Sequence, residues 1–260
     1  MKIELLTIIK WLSVNKLSFN SEKTEFMIFD TLDQADQLVI NFNDSSITIK
    51  ECKANKYLGL MIDSKLNFKL HIDYIKKKVL KRLGAMYRSK TLLPVKYRKM
   101  FANALMLPQF DYLDTIYYRA GVTKLAELDL LYKKVAKIAL DAPQTESSIN
   151  VRRQLHLSNY MYRIINGDCP TNFNNIFTYM SVGSRNSENC NLSISNSTPQ
   201  KSFSYLGAKC WNNLHHSLRI LPDIDSFSKS YKSKLLSSMA SDPNYITNNA
   251  INHLYGLIDA

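Results

Sequence analysis

Lys77, Lys81, Gly84 and Arg88 are the residues whose types and spacing most readily suggest a chemistry. At 100° per residue they share one side of a predicted helix. They lie almost opposite an apolar series formed by Phe68, Ile72, Ile75, Val79, Leu83 and Met86. A row of cations spaced by helical turns suits the phosphates of a nucleic-acid backbone. Each phosphate it neutralises releases counterions, so such binding is sequence-independent and salt-sensitive. A glycine inside a helix costs about 1 kcal/mol relative to alanine. On the cationic side it supplies the room that close approach of a ligand backbone requires. The same pattern also suits a merely solvated face with a tolerated glycine.

The distribution of charge favours the first reading. The chain carries a net charge of +12, but residues 65–99 alone hold 12 Lys/Arg against the single acid Asp73. Residues 1–64 are net −2 and residues 100–260 net +3. A basic excess this local is the footprint of a polyanion-facing surface.

Other constellations are weaker. Asp111 and Asp114 have i, i+3 spacing and could share a helix face, where a structural role outweighs metal binding. Cys190, Cys210, His215 and His216 lack the short Cys pair of a zinc site. No metal ligands are therefore expected, and the four cysteines read as free thiols of a reducing compartment. No GxGxxG or GxxxxGK[ST] loop occurs. The apolar start of the chain is broken by Glu4 and shows no signal-peptide cleavage pattern, and no run is long enough to span a membrane. The expected location is intracellular, in cytoplasm or nucleus. With 45% apolar and 22% charged residues, the composition is that of an ordinary globular protein.

The elements that must position these residues follow from periodicity. Residues 3–14 predict a helix with Ile8, Ile9 and Leu12 on one side. Strands are expected at 24–30 and 56–63, with a hairpin across 37–50 turning near Asn43-Asp44-Ser45-Ser46. From Ser64 the pattern turns helical. Pro94 opens a second helix, whose apolar side is Tyr97, Phe101, Ala104 and Leu105, and Pro108 closes it. A third helix carries Val122, Leu125, Leu128, Leu131, Val135 and Ile138. A fourth covers 151–166, a Ser/Asn-rich loop covers 181–203, and a last helix lies near 224–238. The expected fold class is α+β, a small antiparallel sheet followed by a mainly helical bundle and tail. The expected domains are 1–64, 65–142 and 143–260.

The order of certain blocks carries a family resemblance. "NKLSFNSEKTEFMIF" contains N-x-L-x-x-N-x-x-K-T, and Tyr57-Leu58-Gly59 and "KLNFKLHIDYIKKKVLKRL" follow it. With "RNSENCNLSI" and "KSFSYLGAKCWNNL" nearer the C-terminus, the chain resembles the reverse transcriptases of non-LTR (LINE-type, jockey-like) retrotransposons. The similarity runs from about Trp11 to Leu236. It implies a palm end over 1–64, a thumb over 65–142 that clamps template–primer duplex, and a C-terminal tail. By the same resemblance, Lys23 matches a lysine near the pyrophosphate side of the incoming nucleotide. Tyr57, Leu58 and Gly59 match the primer grip.

The family's Mg²⁺-binding aspartates lie upstream of the matched region, and no Asp-Asp pair occurs in this chain. The polymerase and endonuclease parts upstream are missing from it. The resemblance thus implies a truncated remnant of an RNA-directed DNA polymerase, inactive alone, with no cofactor of its own. It would retain binding to RNA/DNA duplex. A stand-alone nucleic-acid-binding module and a helical interaction protein without catalysis remain as alternatives.

Overall fold

A computed structural model describes residues 2–29, 37–42, 45–140, 149–173, 175–179, 191–195 and 202–241. The chain is α+β, as its periodicities predict. It divides into two compact units, Met1–His71 and Ile72–Ala260.

The first unit opens with helix α1 (Lys2–Val14). Strands β2 (Gln37–Phe42) and β3 (Ser45–Glu51) pair antiparallel from Gln37↔Lys50 to Phe42↔Ser45, which is the expected hairpin. Its connecting residues, 43 and 44, lie outside the described residues. Leu38 faces Ile49 and Ile40 faces Ile47. Alternation puts these on one side, where Leu5, Leu6, Phe19 and Phe26 pack against them. Helix α1 buries Ile9 and leaves Ile8 about half exposed, so the expected apolar side is shifted. Its packed positions are Leu5, Leu6 and Ile9.

Two strand expectations need correction. The run 24–30 yields only β1 (Glu25–Phe26), which pairs parallel with β3, so the three-stranded sheet has the order β1-β3-β2 and is mixed. The run 56–63 is not one strand. It folds back on itself as β4 (Ala54–Tyr57) and β5 (Leu60–Asp63), paired Tyr57↔Leu60. Leu58 and Gly59 have φ of 46° and 88°, the two left-handed positions of a tight hairpin turn.

Helix α2 (Lys69–Arg88) is where the sequence pattern is strongest. All six residues of the apolar series are buried, from Ile72 and Val79 at 0% to Leu83 at 7% exposed. The division between the two units falls inside this helix.

The second unit continues with α3 (Val95–Phe101) behind Pro94. Pro108 does not close this helix. The chain widens into a π-helical turn, Ala102–Met106, and resumes as α4 (Leu107–Asp111) with Pro108 in its first turn. An uninterrupted α-helix would press the proline ring against the carbonyl of the residue four earlier. The wider turn, in which Leu107 N–H reaches the Ala102 carbonyl, avoids that clash. The buried side is Arg98, Ala102, Met106 and Phe110, not the expected Tyr97, Phe101, Ala104 and Leu105. Arg98 is tolerated there because its guanidinium donates to the Leu93 and Ile138 carbonyls.

After α5 (Asp114–Tyr117) comes α6 (Val122–Leu140), which buries Leu128, Leu131 and Val135 as expected. It adds Tyr132, Ala136 and Ala139 and leaves Val122 half exposed. Helices α7 (Ile149–Ile165), α8 (Phe203–Asn212), α9 (His216–Arg219) and α10 (Ile224–Ser241) complete the unit. Met161, Tyr162, Trp211, Phe227, Tyr231 and Leu235 form a common core between α7, α8 and α10. At Gly207 a Cβ would run into Met161 Sδ and the Phe177 ring, so glycine is what lets α8 approach α7. Most of the expected loop at 181–203 lies outside the described residues.

Candidate nucleic-acid interface

The cations of α2 beyond Lys69 differ in what they touch. Lys76 pairs with Glu127 of α6, and Lys124 of α6 reaches back to Asp73 at 3.3 Å. Arg82 donates to the Leu105 carbonyl, and Lys78 lies over the Tyr74 ring at 4.4 Å. The contacts of Lys76, Lys124 and Arg82 reach across to neighbouring elements, whereas that of Lys78 stays within α2. Lys77, Lys81 and Arg88 are all exposed. Their side chains have no hydrogen-bond or ion-pair partner among the described residues.

Gly84 is half-buried on the same side. A Cβ built there would meet only Arg88 Nη1, at 3.7 Å. No neighbouring element therefore requires the glycine, and it leaves the helix surface open under the Arg88 side chain. Gly84→Ala should stabilise the unit by about 1 kcal/mol, the helix-propensity difference between the two residues. A lowered urea midpoint for that variant would mean that the site is already crowded.

The residues matched by resemblance lie in the first unit. Asn20 Oδ1 accepts from Lys23 N–H at 3.0 Å, and Thr24 Oγ1 donates to the Asn20 carbonyl at 2.7 Å. These bonds close a short 3₁₀ turn, Ser21–Lys23, that delivers the chain into β1 with the Lys23 side chain exposed. Tyr57 and Leu58 form the tip of the β4–β5 hairpin, 65% and 73% exposed, an apolar tip held out to solvent. Asn55 Nδ2 donates to Glu25 Oε2 at 2.7 Å and ties β4 to β1. Lys23 and the hairpin thus belong to one unit, and the α2 stripe belongs to the other.

The second unit also holds a cleft whose ion pairs join residues far apart in sequence. Its volume is about 280 Å³. Asp111 and Asp114 do not share a helix face, because α4 ends at Asp111 and Leu113 takes a left-handed φ of 57° before α5 begins. Each carboxylate instead receives a cation from α7. Arg152 holds Asp111 through two parallel hydrogen bonds, and His156 Nδ1 meets Asp114 Oδ2 at 2.6 Å. Among the described residues no group of three His, Cys, Asp or Glu is placed to hold a metal ion. Cys190 lies outside them, Cys210 is buried against Ser158, and His215 caps α9.

Burial pushes the Asp114 carboxyl above its ordinary range, against the bond and charge of His156 and the charge of Arg153. For His156, burial opposes the charged ring. The hydrogen bond and charge of Asp114, aided by Asp111, prevail over burial and over Arg152, and the imidazole titrates above its usual value. Folded His156 therefore binds a proton more tightly than the unfolded chain does. Its contribution to stability is full below about pH 6.5 and is lost as pH rises through the folded pKa. Asp114, also shifted upward, acts in the same direction at lower pH. The melting temperature should fall as pH rises above about 6.5, the ordinary imidazole value, and His156→Gln, which does not titrate, should flatten that slope. An unchanged slope in the variant would place the titration elsewhere.

Among the described residues no helix is long and apolar enough to cross a membrane. Comparison with protein-family models, with curated proteins and with solved structures finds no match to this chain.

Proposed function

We propose that this chain binds nucleic-acid duplex through the exposed face of α2. In this reading it is the thumb-side part of a reverse-transcriptase-like polymerase of the non-LTR retrotransposon kind. The proposal includes no polymerase chemistry of the chain's own, because the paired metal-binding aspartates of that family have no counterpart in its sequence.

One observation carries the reading. Lys77, Lys81 and Arg88 are exposed and unengaged on one side of a helix where Lys76 is paired with Glu127 and Arg82 with the Leu105 carbonyl. Three long side chains of one sign kept together in water repel one another, and a row of phosphates relieves that repulsion. Lys23 and the Tyr57-Leu58-Gly59 tip are proposed to serve the same nucleic acid near its primer end, a role that rests on the resemblance alone. The test is the affinity of the purified chain for an RNA–DNA duplex as a function of salt. Binding that is absent at low salt, or insensitive to salt, overturns the proposal.

A further inference from the structure

The cleft between α4, α5 and α7 is lined by Asp111, Asp114, His156, Asn159, Tyr160 and Arg163, together with Leu113 and Thr115. We propose that it binds one nucleoside phosphate unit, with the phosphate against Arg163 and His156 and the base against the Tyr160 ring. The site shares no residue with the α2 stripe and does not depend on it.

The charges select an anion. Asp111 is neutralised by the fork of Arg152, and Asp114, almost wholly buried, by His156. Both carboxylates on the wall are thereby silenced. Arg163 is exposed, and its guanidinium has no hydrogen-bond or ion-pair partner among the described residues. His156 engages Asp114 through Nδ1, so Nε2 is the ring nitrogen left for a ligand. In the imidazolium form Nε2 donates, and a phosphate oxygen accepts from it and from the arginine fork.

Two further observations ask for more than a bare phosphate. The Tyr160 ring, half exposed on the wall of the cleft, offers the flat apolar face on which a base stacks. A volume of about 280 Å³ leaves room for a sugar or base beside the phosphate.

The experiment is titration of the full chain at low salt with adenosine 5′-monophosphate, inorganic phosphate and adenosine. The monophosphate should bind more tightly than either of its parts. Arg163→Ala, at an exposed position that leaves the fold intact, should weaken it by about tenfold or more, the value of a charge-assisted hydrogen bond. Tyr160→Ala should weaken the monophosphate and leave inorganic phosphate unaffected. Replacing Lys77, Lys81 and Arg88 by alanine should leave monophosphate affinity unchanged, which separates this site from the duplex-binding face. Competition by a short 5′-phosphorylated oligonucleotide assigns the unit to a strand end, and failure to compete assigns it to a free nucleotide. The inference is overturned if the monophosphate does not bind, if Arg163→Ala binds it as the parent does, or if phosphate alone binds as tightly.

Discussion

Replacing Lys77, Lys81 and Arg88 together by alanine is expected to weaken RNA–DNA duplex binding at about 50 mM salt by about a hundredfold or more, because each lost phosphate contact forfeits its counterion release. The slope of log affinity against log salt should become shallower by about 0.9 for each contact removed, nearly three units in all. The loss should be equal across duplex sequences, since phosphate contacts carry no base information. Folding should be unaffected, because the three side chains are exposed and make no contact that holds the helix. Lys76→Ala provides the contrast. Its side chain is committed to Glu127, so it should alter the α2–α6 packing and leave the salt slope in place. A triple variant that binds duplex as the parent does would reduce the stripe to a solvated face.

Helix α2 is legible in the sequence because its apolar steps of four and three admit no other period. The cationic side is then fixed by geometry, and Lys77, Lys81 and Arg88 do emerge exposed. Which cations on that helix are free is not legible. Lys76 and Arg82 are as basic as their neighbours, and only the placement of Glu127 and of the Leu105 carbonyl engages their side chains.

Two of the misread elements, at 56–63 and at Pro108, share one cause, a local signal overruled by backbone geometry. Gly59 could have marked a turn inside 56–63, but Leu58 in the other left-handed position reads as strand. Pro108 reads as a stop, and a π-helical turn has no signature in side-chain type. The buried side, Arg98 and Ala102, is already offset by one residue from the expected Tyr97 and Phe101 before that turn, and the turn carries it on to Met106 and Phe110. The cleft was out of reach for a different reason. Asp114 and His156 are 42 residues apart and on separate helices, so no spacing rule joins them.

Asp63→Ala is expected to destabilise the first unit by about 3 kcal/mol, from the loss of several charge-assisted hydrogen bonds at a buried carboxylate. Asp63 is 7% exposed. Its Oδ1 accepts from the backbone N–H groups of Lys65 and Asn67 at 3.2 and 3.1 Å, and its Oδ2 from Phe68 N–H at 2.8 Å. These donors lie in the loop that leads into α2, where the amides lack intrahelical acceptors. The same loop places Leu66 and Phe68 at φ of 51° and 53°, left-handed positions that cost an ordinary residue about 1–2 kcal/mol each. The carboxylate therefore holds a strained path together, and alanine would leave both the strain and the orphaned amides. Asp63→Asn should lose roughly half as much, since one acceptor oxygen remains where the amide now presents a donor. Leu66→Gly should act in the opposite sense, because glycine adopts φ > 0 without strain. Urea midpoints of the three variants provide the measurement, and an Asp63→Ala protein as stable as its parent would refute the cap. Helix α2 runs unbroken from this loop to Arg88, so Asp63 positions the first turn but touches none of the stripe. Duplex affinity measured where Asp63→Ala is still folded should therefore equal that of the parent.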